Sequence, residues 1–243
     1  MEWQLLDTGK ADPKCNMDAD YHLLNGLSST DKAILRFYEW EGDCATYGYF
    51  IEPGDFLNLE GVHRQGLKIA QRPTGGGIVF HLCDMAYSVL LPTSHPAVSL
   101  NTLANYAFIN QAIASAVQQF LGESTAPKLL PAEPLAADKA SGSFCMAKPT
   151  KFDVMLDGRK VGGGAQRRTR HGLLHQGTIS LAMPREAYLR EVLLPGTQVL
   201  DAMRQNSYFL LGESPTLTAL NDARMSLRHH VAKALLYNSP LSH

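Results

Sequence analysis

Cys145 and Lys160 are the two residues whose types and spacing best suit covalent chemistry in this chain. A cysteine thiolate is a strong nucleophile, and a lysine ammonium can polarise a carbonyl group or steady a phosphate. Each residue taken alone has a simpler explanation, since most cysteines are buried packing residues and most lysines are solvated. The pair draws interest because Cys145 ends a run of small residues and Lys160 opens a glycine-rich stretch.

Two glycine triplets flank this cysteine in the sequence, at residues 75–77 and 162–164. Each adjoins a β-prone run, and glycine inside a strand marks a bulge or the close approach of a ligand or another backbone. The first triplet lacks the lysine of a phosphate-binding P-loop, and Phe80 stands where a dinucleotide fingerprint requires glycine. We interpret the triplets as two walls of a narrow slot for a slender ligand. The alternative is that both are bulges required by sheet curvature.

Three histidines, His81, His171 and His175, are candidates to orient or deprotonate a reacting group, although a lone histidine is more often structural. No pair of cysteines or histidines has the spacing of a zinc finger or a metalloprotease, so we expect no metal site. The four cysteines lie far apart without a CxxC pair, which favours free thiols in a reducing compartment over disulfides.

Length and composition are those of an ordinary globular protein: 243 residues, of which 45% are hydrophobic and 19% charged. We expect one domain over residues 1–243, without a separate C-terminal accessory domain. The net charge of −1 gives no indication of a nucleic acid partner or an anionic membrane surface. No apolar run approaches the ~20 residues that span a bilayer, and we expect a cytoplasmic location.

Strands are the main elements that must position these residues. The dipeptide Asp157-Gly158 predicts a hairpin turn, because both residues tolerate positive φ. It joins a β-prone arm to the arm that carries Lys160. Further β-prone stretches, which predict strands, cover residues 34–40, 45–50, 86–92 and 172–183.

Helices are predicted in three parts of the chain. Apolar residues recur at three- and four-residue steps over 101–121, which predicts an amphipathic helix ending before Gly122. Helical patterns also occur near 184–194 and 222–236, and three prolines make 124–141 a long surface loop. Hairpin-connected strands with separate helices predict an α+β fold, with a mixed, largely antiparallel sheet flanked by helices.

Several segments together resemble the biotin/lipoate protein ligase superfamily. QRPTGGGIVFH resembles its RRxTGGGxVxH segment, and GRKVGGGAQRR with HQGTISL resembles its GRKxxGxAQxR…HGxxLL block. RFYEWEGDCATYGYF and NMDADYHLL resemble its N-terminal patterns RFYxW…SxGYFQ and NMAxDExLL. The similarity runs from about residue 3 to residue 183. It implies the superfamily's α+β catalytic domain.

Within the superfamily, the chain is most similar to lipoyl-pathway octanoyltransferases of the cysteine-containing, lipoate-ligase-like type. These enzymes carry a cysteine in a CFxxPSxxE context, and CMAKPTKFD keeps the cysteine and the proline. The Arg-Asn-Asp segment of lipoate ligases is absent. Met146 replaces the usual Phe, Asp153 stands where Glu is common, and His-Gln at 175–176 replaces Gln-His or His-His.

The resemblance implies transfer of an octanoyl (or lipoyl) group, without a cofactor, through an acyl-enzyme on Cys145. The donor would be an acyl carrier protein or another octanoylated protein, and the acceptor a lysine of a lipoyl domain, in an H protein or a 2-oxoacid dehydrogenase subunit. Lys160 is expected to lie beside the thiolate as its stabilising cation. The expected ligand-binding residues are Arg72, Thr74, Gly75, Gly76, Gly77 and His81 on the first wall, and Gly162, Gly163, Gly164 and Ala165 on the second.

The main alternative is an ATP-dependent lipoate-protein ligase. There, ATP and magnesium would activate the acid as an acyl-adenylate, Lys160 would steady the α-phosphate, and Cys145 would be incidental. Biotinylation is less favoured because the GRK block and the N-terminal aromatic pattern are lipoyl-like. A non-catalytic domain that only binds lipoylated partners is the remaining interpretation. We expect residues 124–144 to close over the acyl chain.

Overall fold

A computed structural model of the chain describes residues 2–28, 30, 32–98, 101–122 and 124–236. Within these ranges the chain forms a seven-stranded sheet, a three-stranded sheet and six α-helices. In order across the large sheet, the strands are β1 (Trp3–Ala11), β2 (Ala33–Trp40), β6 (Asp84–Pro92), β10 (Gly172–Ser180), β9 (Arg159–Arg168), β8 (Val154–Leu156) and β7 (Lys128–Leu129). Only the pair β1 and β2 is parallel among these described strands, so the expected mixed, largely antiparallel sheet is confirmed.

The small sheet consists of β4 (Lys68–Gln71), β3 (Cys44–Tyr47) and β5 (Ile78–His81), in that order. Strand β3 runs parallel to β4 and antiparallel to β5. Three short helices pack with it around a second hydrophobic core: α2 (Leu59–Gln65), α4 (Glu186–Val192) and α5 (Val199–Asn206). This sheet was not predicted as a separate layer, since β-prone sequence does not show which strands pair.

The longest helices, α3 (Thr102–Leu121) and α6 (Leu217–Leu236), pack together on one face of the large sheet. Leu35 and Phe37 of β2 point into this core, whereas Ile34 points to the opposite face and packs beneath α1 (Pro13–Gly26). Successive residues of a strand face opposite sides of the sheet, so β2 contributes side chains to the hydrophobic packing on both faces. The helices predicted near 101–121, 184–194 and 222–236 are confirmed, the last beginning earlier, at Leu217.

Helix α1 was missed because its buried face is partly polar. Asn16 and Asp20 are fully buried, and both bind Arg36 of β2. An apolar periodicity is therefore weak along α1. The start of the helix is nevertheless encoded locally, since the Asp12 side chain accepts a hydrogen bond from the Lys14 amide and Pro13 occupies the first turn.

The predicted hairpin is confirmed, with Asp157 at φ 50° and Gly158 at φ 74° joining β8 to β9. The segment 124–141 is a mainly exposed loop, as predicted, and contains the two-residue strand β7. The strand predicted over 45–50 ends at Tyr47, where the chain turns. None of the helices in the described ranges is both long enough and apolar enough to cross a bilayer.

Candidate active site

A cavity of about 440 Å³ lies where the small sheet meets β9 and β10. Both glycine triplets line it, together with Cys145, Lys160, Arg72, His81 and Ala165. The innermost lining includes the buried side chains of Met17, Tyr38 and Val79. The fold therefore brings residues from separate parts of the sequence into one site, and of the expected residues only Thr74 lies outside the lining.

The segment that carries Cys145 is paired with the first residue of β5, Ile78. The Cys145 backbone amide donates to the Ile78 carbonyl at 3.0 Å, and Phe144 beside it is buried and stacks on Phe80. Gly77 permits this seating, because a Cβ there would stand 2.1 Å from the Ser143 carbonyl oxygen. The thiol side chain is partly exposed and lines the cavity.

Arg72 is the cation that reaches the sulfur: its Nη2 lies 3.9 Å from Cys145 Sγ. The guanidinium is buried, and it donates to the carbonyl oxygens of Gly75, Gly77 and Thr46 at 2.7–3.2 Å. Arginine suits this position because its planar group offers several donors in a fixed geometry. From the sequence, Lys160 was expected to be the cation beside the Cys145 thiolate. In the structure, the cation that contacts the sulfur is Arg72.

Lys160 contacts the backbone of the same cysteine. Its Nζ donates to the carbonyl oxygen of Cys145 at 3.0 Å and pairs with Asp153 Oδ2 at 2.7 Å. Asp153 is buried and also accepts from the amide and the hydroxyl of Thr150. The positive charge of Lys160 is therefore balanced by Asp153, and its ammonium holds the Cys145 backbone through a hydrogen bond. Sequence reasoning noted Asp153 only as a departure from Glu and did not foresee this pair.

The second triplet alternates between two environments, as strand residues do. A Cβ on Gly163 would collide with Asp153, at 2.0 Å from Oδ1, on the cavity side. A Cβ on Gly164 would collide with His175 on the opposite face, at 2.3 Å from Nε2. Of the six triplet glycines, only Gly75 has open space in that direction. Most of these glycines therefore serve close packing between protein segments as well as forming the cavity lining.

The first triplet is tied to the large sheet through a buried polar chain. The Thr74 hydroxyl donates to Gln176 Oε1 at 2.8 Å, and Gln176 Nε2 donates to Asp20 Oδ2 at 2.7 Å. Asp20 in turn pairs with Arg36 at 2.8 Å. Thr74 thus links the first triplet to the large sheet through side-chain hydrogen bonds. Gln176 was overlooked as a functional residue, and its only sequence signal was its unusual place before the glycine.

The three histidines have different surroundings, and Cys145 Sγ is not a hydrogen-bond partner of any of them. His81 lines the cavity, binds Thr46 and Asp84, and stacks on Trp40 at 4.2 Å. His175 is fully buried, and desolvation lowers its pKa from 6.5 to about 3. His171 lies near the Leu27 carbonyl and does not line the cavity. A general-base role is thus without geometric support for His171 and His175.

The outer rim of the cavity includes Glu133, Lys148 and Lys151. Glu133 belongs to the long loop and pairs with Lys148 at 3.4 Å. Closure of this loop over a ligand stays a prediction. In the described part of the chain, no group of three or more histidine, cysteine or acidic side chains is arranged to hold a metal ion.

Residues 12–205 match the family model described as the lipoyl protein ligase A/B catalytic domain. The chain is 31% identical over 206 residues to Octanoyltransferase LipM of Lysinibacillus sphaericus (strain C3-41), covering 84% of this chain and 74% of the relative. It is 30% identical over 206 residues to Octanoyltransferase LipM of Bacillus subtilis (strain 168), with the same coverage of both chains.

Solved structures share the fold at lower identity. The putative lipoate protein ligase Ta0514 from T. acidophilum, with bound lipoic acid, superposes with a TM-score of 0.68 at 20% identity. A lipoate-protein ligase A bound with ATP superposes with a TM-score of 0.69, also at 20% identity. Each comparison covers 97% of this chain and 86% of the other.

Proposed function

Because the chain belongs to the lipoyl protein ligase A/B catalytic-domain family, we propose that it is an octanoyltransferase of protein lipoylation. It takes an octanoyl group from a carrier-protein thioester and delivers it, through an acyl-enzyme on Cys145, to a lysine of a lipoyl domain. Relatives named octanoyltransferase at about 30% identity support octanoyl transfer. The thiol mechanism and the carrier-protein donor go further than the comparisons and depend on the geometry of the site.

The observation that carries the proposal is a cysteine sulfur facing a partly apolar cavity, with a buried guanidinium 3.9 Å away. In the first step the Cys145 thiolate attacks the thioester carbonyl carbon, and the carrier's thiolate departs with a proton from solvent. In the second step a neutral lysine amine attacks the carbonyl carbon of the acyl-enzyme, the bond from that carbon to Cys145 Sγ breaks as the amide forms, and the Cys145 thiolate is released while the amine's proton passes to solvent. Two partner proteins thus react in turn and need not meet.

The two cations have separate roles in this scheme. Arg72 balances the thiolate and orders the first triplet, whose carbonyls it binds. Lys160 holds the backbone of Cys145, and we assign to it the stabilisation of the oxyanion of the tetrahedral intermediate. Removing one such donor typically costs about 3 kcal/mol of barrier, or roughly 10² in rate.

The shape of the cavity suits an unbranched acyl chain. Its lining is largely apolar and includes Met17, Tyr38, Trp40 and Val79, and a Cβ built on Gly75 would meet nothing within 4 Å. Ligand pockets of about 300–1,000 Å³ with apolar walls and a few polar groups are typical for small ligands. We propose that no ATP or metal ion is consumed, and we propose lipoyl domains of H proteins or 2-oxoacid dehydrogenase subunits as acceptors.

An ATP-dependent ligase is the second candidate, favoured by the cationic lining of the cavity. Arg72, Lys148, Lys151 and Lys160 all line it, and cations of this kind stabilise phosphates. In that case ATP and magnesium would activate octanoate or lipoate, and Cys145 would be dispensable.

Intact mass measurement separates the two candidates. The protein is incubated with octanoyl carrier protein, without ATP, and the adduct is mapped by peptide analysis. We expect one octanoyl group on Cys145, none in Cys145→Ser, and an unchanged adduct in Cys15→Ser, which alters an exposed thiol outside the cavity. Transfer to a lipoyl domain should fall at least about a thousandfold in Cys145→Ser.

The ligase candidate gives the opposite pattern in the same experiment. Product would then require ATP and magnesium, and Cys145→Ser would retain full activity. That result would reject both the acyl-enzyme and the carrier-protein donor.

A further inference from the structure

Three exposed aromatic side chains lie together on the surface beside the cavity. Phe50 is 90% exposed, Tyr49 54% and Tyr21 43%. The rings of Tyr49 and Phe50 meet edge to face at 5.2 Å, and the Arg167 guanidinium lies 5.9 Å from the Tyr49 ring and 5.8 Å from the Tyr21 ring. These four residues, here the rim patch, combine three exposed aromatic rings with one guanidinium. Such patches mark interaction sites.

Arg167 connects the rim patch to the site. Its Nη1 donates to the carbonyl of Pro73, two residues before the first triplet, at 3.1 Å, and the Tyr49 amide donates to the Thr74 carbonyl at 3.1 Å. Ala165, two residues earlier on β9, lies on the same strand face, and its Cβ lies near Gly76, as Cys145 Sγ also does. Arg167 is therefore about 7 Å farther along the strand than this cavity-lining residue. A partner bound to the rim patch would lie over the cavity mouth.

The end of β9 and the turn that joins it to β10, here the tip, follow directly after Arg167 in the chain and are basic. Arg168 and Arg170 are exposed there, and within the described ranges neither is within 4.0 Å of an acidic side chain. The charged groups that line the cavity are also mainly cationic, with Glu133 as the acidic member of that lining. The whole chain carries a formal charge of −1, so these exposed arginines do not reflect a general excess of positive charge. A face of this kind attracts an acidic partner.

We propose that the rim patch and the two tip arginines form the docking surface for an acidic acyl-carrier donor. This inference rests on the proposed function and identifies where the donor binds. A carrier's prosthetic arm bears a phosphodiester between protein and thioester, and arginine binds such groups in paired hydrogen bonds. The exposed aromatics provide apolar anchors of the type found at the centre of protein interfaces. The donor is favoured over the acceptor because its arm adds a phosphate to the acidic surface.

The test compares two donors in acylation alone, without an acceptor. The rate of acyl-enzyme formation is measured with octanoyl carrier protein and with octanoyl-pantetheine, which lacks both the protein and the phosphate. In the double variant Arg168→Glu, Arg170→Glu, we expect the first rate to fall at least about tenfold and the second to stay within about twofold. The wild-type rate with the carrier protein should also decline as salt is raised.

A matched control carries the same change of charge elsewhere. The double variant Lys10→Glu, Lys233→Glu alters exposed lysines of β1 and α6 that do not line the cavity, and should keep the wild-type rate with both donors. Phe50→Ala tests the apolar part without any charge change and should slow only the carrier-protein reaction. It also keeps the test intact should the charge-reversed variant fail to fold.

Three results would overturn the proposal. Undiminished acylation by the carrier protein in both surface variants would mean that the donor binds elsewhere. Equal slowing with both donors would mean that these residues act on the thiol or the fold. Normal acylation with slowed transfer to a lipoyl domain would assign the surface to the acceptor. Failure of wild-type protein to form an adduct with either donor is a different result, which counts against the proposed function itself.

Discussion

At the scale of single residues, Arg72 and Lys160 are buried cations that contact the same cysteine but are balanced differently. Arg72 has carbonyl oxygens as its partners and contacts the sulfur, whereas Lys160 has a carboxylate, Asp153, at 2.7 Å. A positive charge without a carboxylate partner is better placed to stabilise a thiolate. The neutralised pair of Lys160 and Asp153 is better suited to fixing the backbone.

Asp153→Asn tests how strongly this pair is coupled. We expect the free energy of unfolding to fall by about 3 kcal/mol, because the buried ammonium of Lys160 loses its compensating charge. The double variant Asp153→Asn, Lys160→Met removes both charges and should recover much of that loss. Urea unfolding of the wild type, the single variants Asp153→Asn and Lys160→Met, and the double variant measures the coupling. Additive losses would show that the two side chains stabilise the protein independently.

At the scale of elements, the site depends on how closely two segments approach each other. The backbone that carries Cys145 lies against Gly77, and Gly48 similarly lies against the backbone of Gly76. Side chains at these positions would push the cysteine segment and the first triplet apart. The glycines at 48 and 77 therefore determine the position of the sulfur before any ligand is present.

Gly77→Ala and Gly75→Ala form a matched pair for this prediction. A Cβ at 77 would lie 2.1 Å from the Ser143 carbonyl oxygen, whereas a Cβ at 75 meets nothing within 4 Å. We expect Gly77→Ala to destabilise the protein by about 1–3 kcal/mol and to slow acylation of Cys145 at least about tenfold. Gly75→Ala should unfold like the wild type. Urea unfolding and the adduct assay measure both, and equal stability of the two variants would contradict this account.

At the scale of the whole molecule, two cores meet at the active site. The large sheet with α3 and α6 forms one core, and the small sheet with α2, α4 and α5 forms the other. Each contributes one glycine triplet, so the cavity exists only when both layers are assembled. His175 lies inside the large layer, between Tyr87 and Tyr106, and is buried as a neutral imidazole.

Global stability should therefore depend on pH through His175. Its pKa is about 3 in the folded protein and about 6.5 in the unfolded chain, so the unfolded state binds the additional proton between these values. Falling pH then favours unfolding, by about 1.4 kcal/mol per pH unit for this group. The unfolding free energy of His175→Gln should decline less steeply than that of wild type between pH 6 and pH 4. The same slope in both proteins would contradict the prediction, and His22→Gln, on the exposed surface of α1, serves as control.

Much of the fold was determined by local sequence. The Asp157-Gly158 turn, the periodicity of α3 and the β-prone runs each reflect short-range preferences of backbone and side chains, and these elements are present as predicted. The family motifs likewise identified Cys145, Lys160 and the two triplets as members of one site. Helix α1 was not predicted because its buried positions include Asn16 and Asp20, which are polar and form hydrogen bonds with Arg36 of β2.

The tertiary structure decided which atoms meet. The contact of Arg72 with the sulfur, the pair of Lys160 and Asp153, and the link from Thr74 through Gln176 to Asp20 join residues up to 156 positions apart. Such partnerships depend on strand pairing and on layers packing against each other, and no local pattern encodes them. The sequence alone determined which residues are available for chemistry. Only folding determined their distances, because distance is set by long-range packing.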